Sequence, residues 1–207
     1  MALADPYANA QRFRDQTGLR GTGEDASLDS LLVAVSRWME KRLGIPSFNK
    51  TDTASALVLY PYGDKVLRVP PIASLEGVEV KIDTDSDGDF ADETALPAND
   101  YELLPLDADQ RAEAVPFTRI ALTPWGATTS WLGRGRVQVT AVWGWPEVPE
   151  GIVYGCVEFA RLARGEGPFA TGQISELDTT IAASPQARGV LKGLVMVYSP
   201  TGGVALR

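Results

Sequence analysis

Between Leu28 and Leu43 the apolar residues Leu28, Leu31, Leu32, Val35, Met39 and Leu43 recur at steps of three and four, while Asp29, Arg37, Glu40 and Lys41 fall off that line. The spacing predicts one amphipathic helix from about Ser27, closed by Gly44-Ile45-Pro46. A shorter helix is predicted before it, opened by Asp5-Pro6 and ended at Thr17-Gly18, with the glycine-bearing residues 19–26 as a loop. Near the C-terminal end, Ile152, Val153, Cys156, Val157, Ala160 and Ala163 mark one face of a third helix that follows Pro149 and ends near Arg164. Ser184-Pro185 repeats the cap-then-proline signature and opens a last helix to about Val197, with Val190, Leu191, Leu194 and Val197 in register. Residues 165–183 show little periodicity and are expected to be loop, and Ser199-Pro200 begins a tail that cannot continue a helix.

From Ala54 to Trp143 the period changes. Residues 56–60, 65–69, 78–82, 101–104, 117–122 and 136–143 are short and rich in β-branched and aromatic side chains, and turn residues such as Tyr62-Gly63-Asp64 and Gly133-Arg134-Gly135 separate them. About six antiparallel strands follow, as one sheet or a small sandwich. The predicted fold is therefore α+β: a bundle of about four helices from residues 1–53 and 146–207, with residues 54–145 inserted as a β lobe.

The chain has 207 residues, 44% of them hydrophobic and 22% charged, enough to bury a core. Its longest apolar stretches fall far short of the roughly 20 residues a bilayer span needs, so a soluble protein with no membrane partner is expected. No basic region followed by an apolar run opens the chain, and a cytoplasm is the expected place of synthesis. The single cysteine, Cys156, has no partner for a disulfide and reads as a small buried helix residue. Absence of histidine removes the commonest general base, triad partner and metal ligand together, so the chain is not expected to be an enzyme. A formal charge of −8 opposes phosphate binding, because affinity for nucleic acid comes largely from Lys and Arg displacing counterions.

Asp83-Thr-Asp85-Ser-Asp87-Gly88-Asp89 is the sharpest local motif: alternate carboxylates around a glycine, as in the first half of an EF-hand loop. Position twelve is Thr94 instead of glutamate, although Asp92 and Glu93 are adjacent, and the flanks are strand-like. Two readings stand side by side: a solvated hairpin turn built on Asp and Gly, and a weak Ca or Mg site on Asp83, Asp85, Asp87 and Asp89 that stiffens the loop. No cofactor is required by either.

Trp125, Trp131, Trp143 and Trp145 lie within 21 residues, which suits core packing or a subunit contact better than a sugar platform. Asp107 with Asp109, and Asp92 with Glu93, could be written as a glycosidase pair, but loop acids in an acidic protein are ordinarily solvated. Gly21-Thr22-Gly23 lacks the lysine of a phosphate loop, and Arg134 with Arg136 make only a two-charge patch.

The stretch Val137-Gln-Val-Thr-Ala-Val-Trp-Gly144-Trp-Pro-Glu-Val-Pro149-Glu, a strand turning through Gly-Trp-Pro into a helix, resembles the head-tail connector (adaptor) proteins of long-tailed bacteriophages. Leu3-Ala4-Asp5-Pro6-Tyr7-Ala8, Leu28 to Leu43 with Ser36-Arg37-Trp38-Met39-Glu40, and Asp100-Tyr101-Glu102-Leu103-Leu104-Pro105-Leu106 are similar to the same family, so the likeness covers most of residues 1–165. The resemblance implies a structural ring, typically of twelve copies, beneath the portal in the virion neck, assembled in the bacterial cytoplasm. It would carry a downstream stopper or tail protein and let DNA pass without sequence-specific binding. It also implies a C-terminal arm at residues 194–207 that docks on the portal, with Leu194, Tyr198, Pro200, Val204, Leu206 and Arg207 as its contacts. Twelve copies at −8 would give a ring of −96, whose field repels DNA from the channel wall and equally opposes ring closure, so subunit contacts must be apolar or locally paired. The competing reading is a calcium-stiffened carbohydrate-binding or adhesion module.

Overall fold

A computed structural model describes residues 5–62, 65–111, 113–128, 130–131, 135–165 and 177–198. Among these, helices and antiparallel sheets make an α+β fold that clusters into two compact units, Met1–Phe48 with Val148–Arg207, and Asn49–Glu147.

The first unit is helical. Helix α1 (Ala10–Thr17) begins later than the Asp5-Pro6 signal suggests, because Asn9 caps it: the Asn9 side chain accepts a hydrogen bond from the Arg12 backbone N–H at 2.8 Å. Tyr7 and Ala8, which an earlier start would wind into the helix, are instead buried. Helix α2 (Asp25–Leu43) buries Leu28, Leu32, Val35, Met39 and Leu43 as the periodicity requires, together with two polar residues, Ser36 and Glu40, the latter buried although the spacing puts it off the apolar line. Both are answered by Tyr7, whose N–H donates to Ser36 Oγ at 3.0 Å and whose hydroxyl donates to Glu40. The same hydroxyl accepts from the Phe48 N–H at 3.0 Å. Burial and the Glu40 hydrogen bond push the Tyr7 phenol well above its ordinary range, so it stays protonated as a donor.

Helix α3 (Glu150–Ala163) is buried more widely than one face, including Phe159 and Leu162, because α1, α2, α4 and α5 all pack against it. The α4 helix (Leu177–Ala183) stands where a loop was expected. Seven residues carry only two apolar anchors at helical spacing, Leu177 and Ile181, too few for a periodic signal, yet both are buried and Asp178 accepts from Trp38 Nε1 and Arg42 Nε. The described residues thus hold five α-helices, one more than the pattern predicted. The α5 helix (Pro185–Tyr198) opens as expected, with Ser184 Oγ accepting from the Ala187 N–H at 3.2 Å. No helix among the described residues is long and apolar enough to cross a membrane.

The second unit holds two three-stranded antiparallel sheets, one ordered β1 (Ser55–Leu59), β6 (Val137–Ala141), β3 (Glu79–Ile82), and the other β2 (Val66–Ile72), β5 (Phe117–Leu122), β4 (Tyr101–Leu104). Leu67 and Ile72 of β2, Val80 of β3, Ile120 of β5, and Val137 and Val139 of β6 meet in a single buried cluster around Trp131 and Trp143. Pro70 and Pro71 lack ladder donors, and the β2–β5 register shifts between Arg68 and Ile72 where they lie. Beyond that shift β2 turns to the other sheet: Ile72 bridges Trp143, Ala73 N–H donates to Val142 O at 2.9 Å and Gly144 N–H to Pro71 O at 2.7 Å. On the opposite side Thr51 N–H donates to Trp143 O at 2.7 Å. Residues 142–144 are therefore clamped between two backbone segments, and Gly144, at φ +120°, fits because it has no side chain.

Candidate functional site

Three places in the chain are candidates, two of them holding residues that the sequence singles out. The first is the acidic loop after β3. Its turns form as Asp-rich turns do: Asp85 accepts from the Asp87 N–H at 3.2 Å, Asp87 from the Asp89 N–H at 2.7 Å and Asp89 from the Ala91 N–H at 2.9 Å. Glu93 accepts from the Thr84 N–H and Oγ1–H, and so fastens the loop's far end to its start.

Asp83 departs from a solvated turn. Its side chain has 0% exposure and its Oδ2 accepts from Arg136 Nε at 2.8 Å, while Arg136 Nη2 donates to Ser86 O at 3.3 Å. Arg136 is thus the internal counter-charge of the loop instead of half of a surface patch, and Arg134 lies outside the described residues. Gly88, at φ +86°, is shaped by the same guanidinium, which would lie 2.5 Å from a Cβ placed there. Oxygens of Asp83, Asp85 and Asp87 lie within 4.8 Å of one another, and Asp83 Oδ1 is buried without a hydrogen-bond partner. Asp85 titrates above the ordinary carboxylate range: the Asp87 N–H pulls it down, but desolvation and the charges of Asp87, Asp92 and Glu93 outweigh that pull. Asp89 is exposed and its Oδ1 serves the turn to Ala91.

The second place is the outer surface of β1. An uninterrupted apolar run normally reads as a buried strand, yet β1 pairs only with β6 and none of its residues is buried. Register places Leu57 opposite Val139 and Val58 opposite Gln138, so Leu57 and Leu59 share the side of the buried β6 residues, where Leu59 packs on the core and Leu57 stays 38% exposed, while Val58 turns outward. Val58 is 46% exposed, Tyr60 60% and Tyr62 97%. With Leu59, Val66 and Arg68 they line a shallow cleft. Sequence carried a signal for this surface, since Ala56 to Tyr60 has no polar residue to mark a solvated face.

The third is the end of α5. Leu194 is buried, with its Cδ1 2.7 Å from where a Cβ on Gly155 of α3 would stand, and Tyr198 packs edge-on against Phe48 with ring centroids 5.5 Å apart. Both side chains hold α5 to the helical unit. Pro200, Val204, Leu206 and Arg207 lie outside the described residues.

The tryptophans divide. Trp131, fully buried, donates its Nε1–H to Lys65 O at 3.2 Å, and Trp143 donates to Ser55 O at 2.8 Å, so both are core residues with their polar edges satisfied. Trp145 is half-buried, and Trp125, 74% exposed, stands apart from them in accessibility. Asp107 is paired with Arg111 through two hydrogen bonds of 3.0 Å, which hold its carboxyl below the usual range, the reverse of what a general acid needs. At Gly21-Thr22-Gly23 the adjoining α2 N-terminus is served by its own acids, Glu24 paired with Arg164 at 2.6 Å and Asp25 paired with Arg14.

Cys156 touches Ser36 Oγ at 3.5 Å, and burial pushes its thiol up to about 11. At pH 8 only about one thiol in a thousand would be ionised. Native protein is therefore expected to resist a thiol reagent such as Ellman's for hours and to react fully within minutes once unfolded in guanidinium. Rapid stoichiometric labelling of the native chain would contradict this burial.

No family model matches the chain, and no curated protein matches it. Chains of solved structures are similar to it, two of them from gene transfer agent particles. One is described as the neck of an empty gene transfer agent particle computed with C6 symmetry, at 21% identity and a TM-score of 0.42, covering 87% of this chain and 88% of that one. The other is the virion of a native gene transfer agent particle, at 20% identity and a TM-score of 0.43, with the same coverage of both chains.

Proposed function

We infer that this chain is a structural ring subunit of a phage-like neck, an adaptor seated beneath the portal that joins capsid to tail and surrounds the DNA channel. The observation that carries the reading is the apolar outer surface of β1 on a chain whose sequence resembles head-tail connectors. A freely dissolved monomer gains nothing from leaving Val58, Tyr60 and Tyr62 in water beside an unpaired strand edge. A ring subunit must offer its neighbour such a surface, because each copy carries −8 and the closed ring accumulates repulsion that only apolar or locally paired contacts offset. The same negative wall favours passage of DNA over adhesion. Twelve copies, a portal above, a stopper or tail protein below, and assembly in a bacterial cytoplasm complete the proposal.

Leu194 and Tyr198 are occupied in the helical unit, so in this reading they anchor the arm and residues 199–207 make the portal contact. Deleting residues 199–207 is expected to abolish decoration of purified portal rings in negative-stain images, with the melting temperature changed by less than about 2 °C, since a terminal tail adds little to a core. Undiminished portal binding by the truncated chain would remove the arm assignment. Failure of the intact chain to decorate portal would remove the adaptor reading itself.

A further inference from the structure

The Asp83–Asp89 loop holds a buried carboxylate oxygen that nothing in the fold answers, and its position decides between a plain turn and a cation site. Asp83 is the deepest residue of the loop, and its side chain is wholly excluded from solvent. Arg136 satisfies Oδ2 and leaves Oδ1 orphaned, although a buried acceptor without a partner is costly and rare. Asp85 and Asp87 bring carboxylate oxygens within 4.8 Å of Asp83 and of each other. Each spends Oδ1 on its own turn, through the Asp87 and Asp89 N–H groups, and so retains Oδ2. The surrounding charge is unbalanced. Among the described residues, the segment that carries Asp83, Asp85, Asp87, Asp89, Asp92 and Glu93 is bonded by two cationic side chains, Arg136 to Asp83 and Lys81, which donates to Phe90 O at 2.9 Å.

We propose that Asp83 Oδ1, with the carboxylates of Asp85 and Asp87, binds one calcium ion at the base of this loop. An all-oxygen, carboxylate-rich set on a loop of adaptable turns suits Ca²⁺, which accepts irregular geometry and fills its shell with water, better than Mg²⁺, which demands a near-ideal octahedron. Carboxylate Asp83 then bridges two cations: the ion on Oδ1, which ties Asp85 and Asp87 of the loop to the end of β3, and Arg136 on Oδ2, which ties that end to the start of β6. The site does not depend on the ring reading, and its test involves no portal.

The experiment titrates calcium chloride into the EDTA-treated full chain by calorimetry and follows the melting temperature, with magnesium chloride as comparison. One ion per chain is expected, with Kd of roughly 10⁻⁴–10⁻³ M as in extracellular calcium modules. At a hundredfold excess over Kd the melting temperature of the β unit should rise by about 10–20 °C. The variant Asp85→Asn/Asp87→Asn keeps both carbonyl acceptors and hence both turns, so it is expected to melt within about 2 °C of the parent in EDTA while losing calcium affinity more than tenfold. Asp83→Asn is a poorer probe because it also strips Arg136 of its carboxylate. No calcium response of the parent at 10-fold the upper Kd, an unchanged response in the double variant, or an equal response to magnesium would each overturn the assignment.

Discussion

Gly144→Ala is expected to destabilise the β unit by at least about 3 kcal/mol, enough to lower its melting temperature by 10 °C or more at roughly 4–8 °C per kcal/mol. Two costs combine. At φ +120° an L-residue occupies a region that glycine alone adopts freely, a strain of about 1–3 kcal/mol. The new methyl would also stand 2.5 Å from Lys50 Cα and 2.8 Å from the Asn49 carbonyl carbon, both backbone atoms that cannot rotate away. Relief requires moving residues 49–51, which breaks the Thr51–Trp143 backbone hydrogen bond, or moving residues 142–144, which breaks the Gly144–Pro71 bond. Gly77→Ala separates the two terms, since Gly77 lies at φ +72° with nothing within 4 Å of a Cβ, so it should cost only about 1 kcal/mol. Thermal unfolding followed by circular dichroism makes the comparison. Equal losses for the two variants would show that the clamp around residue 144 is not the source.

How far the chain could be read without coordinates depended on whether the deciding contacts were local. Helices α2 and α3 and all six strands were legible, because a stripe or a β-rich run between turns needs no knowledge of distant residues. Ser184-Pro185 was equally local, a cap completed three residues later. The start of α1 was not, because Asp5 and Asn9 are both good caps, and what decides between them is the Tyr7 contact with Ser36 and Glu40 about thirty residues away. The α4 segment failed for a similar reason, its stability resting on Trp38 and Arg42 of α2 instead of on its own seven residues. At the candidate sites the acidic loop was visible as composition, while the burial of Asp83 depends on Arg136, fifty-three residues onward. The β1 run was visible too, but apolarity alone cannot say whether the fold or a neighbour covers a strand.

Replacing Val58 and Tyr60 together with lysine is expected to abolish subunit association while leaving the monomer folded. Val58 turns outward on an edge strand and Tyr60, one residue past its end, is 60% exposed, so neither contributes to the cluster around Trp131 and Trp143. Melting temperature should therefore change by less than about 3 °C, in keeping with surface substitutions. Association should fall steeply, because lysine on an unpaired edge blocks further strand pairing and removes two large anchors from the contact. Lysine is chosen over aspartate for its sign. Two added positive charges move each copy from −8 to −6 and lessen the repulsion within a ring, so electrostatics alone would predict better closure. Loss of assembly despite that relief would assign the contact to apolar area. Portal decoration by negative stain and sedimentation of the free chain read the outcome. Rings formed as readily by the lysine variant as by the parent would show that β1 faces solvent in the assembled state, and the subunit contact would then have to be built elsewhere on the chain.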